Sequence, residues 1–380
     1  MNYELLIYNS LNNKKETFKE IVSGKIGIYV CGPTVYSSSH MGHARSAIVF
    51  DAIVRFLKFI EYDVTYVRNF TDVDDKIIMK ANDEGSTVEA IANKYKFEYL
   101  DDMKDLGCIN PDFQPCVSEN MQEIIEFIEK IVESDYAYVA NGEVYYDINK
   151  FSDYGKLSNQ STDLMLANSR LELNPNKRND LDFALWKLSK KDEPSWESPW
   201  GLGRPGWHIE CSTMSTKYLG DTFDIHGGGR DLIFPHHENE IAQSKGAFPN
   251  ELFVKYWLHN GMLNLSGEKM SKSEGNIKLL NEYLDQFGGE AVRFFFLKSQ
   301  YRSPQEFSEE LLKESESTLN KLIHFTENEE AAPKNNHLLR IFEDSMNEDL
   351  NTPKLIGEIF KMINESDDLD KKELEDVKST

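Results

Sequence analysis

Apolar positions along the chain fall into two periods. Lys25-Ile26-Gly27-Ile28-Tyr29-Val30 is a β-branched and aromatic run halted at Cys31-Gly32-Pro33, the pattern of a buried strand. From Gly42 the period lengthens: Ile48, Val49, Ala52, Ile53, Phe56, Leu57 and Ile60 recur three and four apart, one face of a helix. Val64 to Phe70 reads as a second strand, and it runs into the acidic loop Thr71-Asp72-Val73-Asp74-Asp75. Strand, helix and strand over about 45 residues make a βαβ unit, which builds parallel sheets with ligands at the strand C-termini.

The pattern then changes. Residues 111–205 alternate a polar helix (Glu119 to Glu133) with hairpin-like strands such as Glu143 to Asp147, and close on a Pro/Trp-rich loop from Pro194 to Gly201. This segment reads as an insertion between two halves of one sheet. Strand signals resume at Thr222 to His226 and at Leu252 to Trp257, and beyond Ser303 the chain is helical and strongly charged. The organisation predicted is a first half of the sheet domain at 1–110, an insertion at 111–205, the second half at 206–302, and a helical region at 303–380.

Composition narrows this to a class. A 380-residue chain has room for two or three domains, and 40% hydrophobic with 12% aromatic residues excludes wholesale disorder. No apolar run approaches the roughly 18 residues of a membrane span, and the first residues lack a basic-then-apolar leader. The four cysteines (Cys31, Cys108, Cys116, Cys211) are too scattered for a disulfide framework, so a cytoplasmic protein is expected. The formal charge of -23 argues against nucleic acid over most of the surface, because phosphate binding draws on Lys and Arg. Residues 301–380 hold 20 acidic against 10 basic side chains, so the tail is the more acidic part.

Three constellations carry chemistry. His40-Met41-Gly42-His43 lies between the first strand and its helix, where amides and helix dipole favour phosphate and Gly42 leaves room for a flat base. A surface loop with two histidines is the alternative. Lys269-Met270-Ser271-Lys272-Ser273, flanked by glycines, suits a loop that neutralises charge on a polyphosphate leaving group. The third is metal-like. His236 and Glu240 lie four apart on one helical face, and with Cys31 and Cys211 they make a tetrahedral zinc set, although His237 or Glu238 could substitute. Cys108 and Cys116 read as ordinary buried thiols.

Taken together, HMGH and KMSKS about 225 residues apart resemble the paired signature of class I aminoacyl-tRNA synthetases. The peptides YVCGPTVY (29–36), NFTDVDDK (69–76), GWHIECS (206–212) and FPHHENE (234–240) resemble the cysteinyl-tRNA synthetase family in particular, and the match spans most of residues 20–300.

The resemblance implies an α/β fold, with a Rossmann-like parallel-sheet catalytic domain, an inserted connective domain facing the tRNA acceptor end, and a mostly α-helical C-terminal bundle. It implies one Zn2+ held by Cys31, Cys211, His236 and Glu240, binding the thiolate of L-cysteine. A size-based pocket separates cysteine from serine by only about 1–3 kcal/mol, whereas a thiophilic metal reads sulfur against oxygen directly. Gly32, Thr71, Trp207 and His226 are expected around the amino acid. His40, Gly42, His43, Gly228, Gly229, Asp231 and Lys272 are expected around ATP, with Lys269 and Lys272 on the pyrophosphate and Mg2+ accompanying it. The products are cysteinyl-adenylate and then cysteinyl-tRNA-Cys, formed by a monomer with no membrane partner.

Two departures accompany the match. Family members continue for some 80 residues, so a truncated bundle without the small anticodon-reading domain is expected, and Cys116 to Asn120 replaces an Arg-containing stretch. Rival expectations are an ATP-dependent ligase joining cysteine to an amino-sugar and a non-catalytic RNA- or partner-binding paralogue. The charge conflict eases if tRNA docks on a limited basic face, with Arg45, Lys76, Arg230, Lys269 and Lys272 as candidate cations.

Overall fold

The computed structural model describes residues 4–162, 165, 174–191, 193–249, 252–265, 278–327 and 336–364. Lys269 and Lys272 lie outside the described residues.

The chain opens with a hairpin, β1 (Leu6–Asn9) and β2 (Lys14–Thr17), that the apolar pattern did not announce. The expected βαβ unit follows as β3 (Lys25–Val30), α1 (Met41–Phe59) and β4 (Asp63–Arg68), with β3 and β4 parallel from Lys25↔Asp63 to Val30↔Arg68. Helix α1 buries the face its spacing predicted, including Ile48, Val49, Ile53, Phe56 and Leu57. Two helices not read from the pattern, α2 (Asp75–Glu84) and α3 (Val88–Asp105), come next.

Residues 112–117 return to the sheet. Arg68 N donates to Phe113 O at 3.0 Å and Phe70 N to Pro115 O at 2.8 Å, so this segment flanks β4 as an irregular parallel edge. Helix α4 (Met121–Glu133) is amphipathic rather than polar, burying Ile124, Ile125, Phe127, Ile128 and Ile131. An antiparallel sheet follows in chain order: β5 (Ala137–Ala140), β6 (Glu143–Tyr146), β7 (Phe183–Leu188) and β8 (Gly203–Pro205). Its residues Val144, Leu185 and Trp186 share one core with Tyr29 and Val67 of the parallel sheet, so the two sheets are joined by packing as well as by chain.

Helix α5 (Trp207–Leu219) leads back to β9 (Phe223–Gly229), α6 (Glu238–Ala247) and β10 (Val254–Asn260). The parallel order is β10-β9-β3-β4. With the 112–117 edge included, the strands number 3-2-1-4-5 across the sheet, and the order reverses between β3 and β9. Ligands bind at such a switch point, outside the strand C-termini. Strand β11 (Leu263–Leu265) pairs with β12 (Gln305–Phe307) around α7 (Leu280–Leu297). Helices α8 (Glu309–Glu327), α9 (Asn336–Met346) and α10 (Thr352–Asn364) complete the described chain. None of the described helices is long and apolar enough to cross a membrane.

Candidate active site

At the switch point four buried side chains converge. Cys31 follows β3, Cys211 sits in the second turn of α5, and His236 and Glu240 lie on the turn and helix after β9. Their ligand atoms all lie within 4.8 Å of one another. Cys31 Sγ is 3.8 Å from Cys211 Sγ and 3.7 Å from Glu240 Oε1, and His236 Nε2 is 3.2 Å from Glu240 Oε1. The helical spacing of four places His236 and Glu240 on one face, as the sequence required.

A second quartet, Cys31, His226, His237 and Glu240, overlaps the first. His237 Nε2 lies 3.3 Å from Cys31 Sγ, and its Nδ1 is 2.7 Å from His259 Nε2, which in turn reaches Ser10 Oγ through Nδ1 at 2.8 Å. The open choice between His236 and His237 therefore has a physical basis, since both imidazoles reach the cluster. Burial pushes both histidines well below the ordinary imidazole range, which keeps them neutral and ligand-competent. Burial also drives the Cys31 thiol up, helped by Cys211 and Glu240. Two thiols and a carboxylate concentrated away from water favour a cation among them.

Above the cluster opens a cavity of about 540 Å3, lined by Cys31, Gly32, His40, Gly42, His43, Trp207, Gly229 and Asp231 among others. Seven of the predicted residues thus meet Cys31 in one space. His40 caps α1 by accepting from Gly42 N through Nδ1 at 3.1 Å, while His43 Nδ1 accepts from His40 N at 3.2 Å. The two rings stack at 3.9 Å, so the turn is held by its own imidazoles. Gly32 has a strict reason: a Cβ there would sit 1.5 Å from the backbone oxygen of Asn69. Trp207 is 39% exposed and stands 4.5 Å from the His236 ring, between cluster and cavity.

Other predicted residues lie behind these walls. Thr71 is buried and donates to Glu210 Oε2 at 3.0 Å, and His226 is buried with Nε2 at 2.8 Å from Glu240 Oε2. Gly228 faces inward, where a Cβ would come 2.9 Å from the His237 ring. Glu210 and Asn69, which hold Thr71 and the Gly32 amide, were missed although they stand inside quoted motifs. His259 was missed because nothing in its local spacing marks it. Arg45, Arg68, Lys76 and Lys278 line the cavity, but Arg45 is 2% exposed and is therefore no part of an exposed basic face.

Residues 17–317 match the model of the class I (C) tRNA synthetase catalytic domain. The cysteine–tRNA ligase of Trichlorobacter lovleyi is 48% identical over 377 residues, covering 94% of this chain and 77% of that protein. The cysteine–tRNA ligase of Syntrophobacter fumaroxidans is 55% identical over 318 residues, covering 84% and 64%. Among solved structures, the Mycobacterium tuberculosis methionyl-tRNA synthetase in complex with methionyl-adenylate superposes with a TM-score of 0.69 at 16% identity, covering 94% of this chain and 88% of that one. At that identity the likeness concerns the fold alone.

Proposed function

The chain belongs to the cysteine–tRNA ligase family of class I synthetases, and from that premise we propose that it selects L-cysteine through a metal-bound thiolate, activates it with ATP and transfers it to the 3′-terminal adenosine of tRNA-Cys. The observation that carries the cysteine-selecting part is the buried quartet Cys31, Cys211, His236 and Glu240, which reaches through Cys31 the cavity that the HMGH turn lines. Its two sulfurs, one imidazole and one carboxylate fit zinc in donor type, number and closeness. These four residues would hold the zinc ion, which would supply a thiophilic Lewis-acid centre for the substrate sulfur that a neutral hydroxyl matches poorly.

The protein's own groups do the rest. His226 holds Glu240 from behind through Oε2, leaving Oε1 for the cluster. Glu210 fixes Thr71, and Asn69 fixes the Gly32 amide through Oδ1 at 2.9 Å, so the amino-acid floor is rigid before substrate arrives. Trp207 screens the cluster from solvent. His40, His43 and the first amides of α1 face the position of an α-phosphate and offset charge as the cysteine carboxylate attacks. Asp231, which lines the same cavity beside Gly229, contacts the ribose. Lys269 and Lys272 hold pyrophosphate with Mg2+. The 111–205 segment, apart from its 112–117 edge on the parallel sheet, takes the acceptor end, which fits its own antiparallel sheet and the passage of β8 directly into the helix bearing Trp207 and Cys211.

Cysteine-dependent ATP–pyrophosphate exchange, metal analysis and charging of tRNA-Cys test this together. Exchange with cysteine but not serine, about one zinc per chain, and label on tRNA are expected. Full exchange in metal-free protein would sink the metal-bound selection. Label transferred to an amino-sugar instead of tRNA would sink the second step.

A further inference from the structure

Arg45, one turn into the HMGH helix, has the setting of a working residue. It is 2% exposed, and among the described residues its guanidinium meets only backbone carbonyls: Nη1 donates to Met262 O at 2.7 Å, and Nη2 donates to Ser303 O and to Tyr301 O. Among the described residues no carboxylate pairs with it. The carbonyls belong to two backbone stretches that already touch. Gly261 N donates to Tyr301 O at 2.8 Å, Gln305 N donates to Met262 O at 3.0 Å, and a Cβ at Gly261 would lie 2.1 Å from Ser303 O.

These stretches line the nucleotide cavity through Asn260, Gly261, Met262 and Leu263, and His40 and His43 line the same cavity. Arg45 is the side chain that spans from the HMGH helix to these stretches. A planar fork bonded to several carbonyls fixes both distance and angle, which a single ammonium cannot do. A buried charge without a counter-ion is costly, and burial alone pulls this guanidinium down to about 10. The cost is relieved when an anion enters the cavity that Arg45 lines.

We propose that Arg45 is a positioning residue of adenylate formation, setting the spacing between the His40–His43 turn and the 260–263 wall and holding its unpaired charge for the phosphates of the nucleotide. This rests on the ATP-dependent reading above.

The test compares Arg45→Lys, which keeps the charge and loses the fork, with Arg45→Met, which loses both. Thermal midpoint, zinc content and active-site titration count the folded sites. For Arg45→Lys, kcat of cysteine-dependent pyrophosphate exchange per folded site falls about 30- to 100-fold, with the ATP KM within about threefold of wild type. For Arg45→Met, the ATP KM also rises about tenfold while adenosine, which lacks phosphates, binds as to wild type. Wild-type kcat per folded site in Arg45→Lys overturns the proposal, and so does equal weakening of ATP and adenosine in Arg45→Met. Should Arg45→Met fail to fold, the kcat of Arg45→Lys decides alone. Absence of exchange in the wild-type protein would instead refute the functional reading itself.

Discussion

Glu240 divides one carboxylate between two tasks. Oε1 faces Cys31 and His236, while Oε2 meets His226 at 2.8 Å. An amide of the same shape removes the anionic donor and turns one of these contacts into an N–H, so, with zinc as the proposed cation, Glu240→Gln is expected to weaken its retention about 10- to 100-fold. Competition against a chromophoric chelator measures this without recourse to activity, and unchanged retention would remove Glu240 from the set. Gly32 presents a different constraint at the same floor. A Cβ on Gly32 would sit 1.5 Å from Asn69 O, so Gly32→Ala forces the β3 and β4 ends apart. A loss of about 1–3 kcal/mol or more is expected in urea unfolding, with the m-value unchanged. Both residues were legible from quoted motifs. The division of labour on Glu240 was not, because it depends on His226, fourteen residues away in sequence and brought alongside by the strand-to-helix return.

At the scale of elements, the acidic loop after β4 joins two parts of the molecule. Asp75 opens α2 and meets Arg204 Nη2 at 2.5 Å and Lys187 Nζ at 3.4 Å, both on strands of the inserted sheet. Partial burial raises this carboxyl, but Lys187 and Arg204 outweigh it and leave it below the usual value near 3.8. A depressed carboxylate contributes stability above its unfolded value, lost as pH falls through the lower folded value. Asp75→Asn is therefore expected to lower the thermal midpoint at pH 6 by a few degrees, with the gap closing as pH falls below about 3.8. A pH-independent gap would mean the ion pairs are idle. The hydrophobic pattern read this loop as the end of a strand, and the family resemblance singled out Thr71 and, for tRNA docking, Lys76, but no partner for Asp75. Its partners lie over a hundred residues away, beyond what periodicity reports. The same limit hid the 112–117 edge strand: a short segment bonded only to β4 has neither the length nor the alternation that marks a strand.

For the molecule as a whole, the N-terminal hairpin and the distant segment 347–349 close on each other. Leu6 N donates to Asn347 O and Asp349 N to Leu6 O, both at 2.9 Å. The fully buried Asp349 carboxylate accepts from Tyr8 N at 2.8 Å, Tyr301 OH at 3.0 Å, Arg302 Nε at 2.7 Å and Gln300 Nε2 at 3.2 Å. Asp349→Ala removes the acceptor of Tyr8 N, Tyr301 OH and Arg302 Nε and leaves Gln300 only the backbone oxygen, and it is expected to cost about 2–4 kcal/mol, with faster amide exchange in the hairpin and in 300–303. Exchange confined to 347–352 would show the clasp to be local. Charge also acts at this scale. With -23 overall, tRNA binding relies on a limited set of cations, and affinity is expected to fall about 100-fold or more between roughly 50 and 200 mM salt. A flat salt profile would contradict that picture.

The sequence alone determined the βαβ unit, the helix face of α1 and the HMGH turn, because strand and helix periods and short rigid motifs are local properties of the chain; the spacing left His236 and His237 open, and the choice of Cys31, Cys211, His236 and Glu240 came from the family resemblance. Only the tertiary structure decided what stands behind them: His259 behind His237, Glu210 behind Thr71, Asp349 behind the hairpin, and Arg45 turned from a candidate surface cation into a buried strut. Each of these is a long-range hydrogen bond between groups with no shared period. Such a bond becomes specific only after packing removes water and leaves each donor one acceptor within reach.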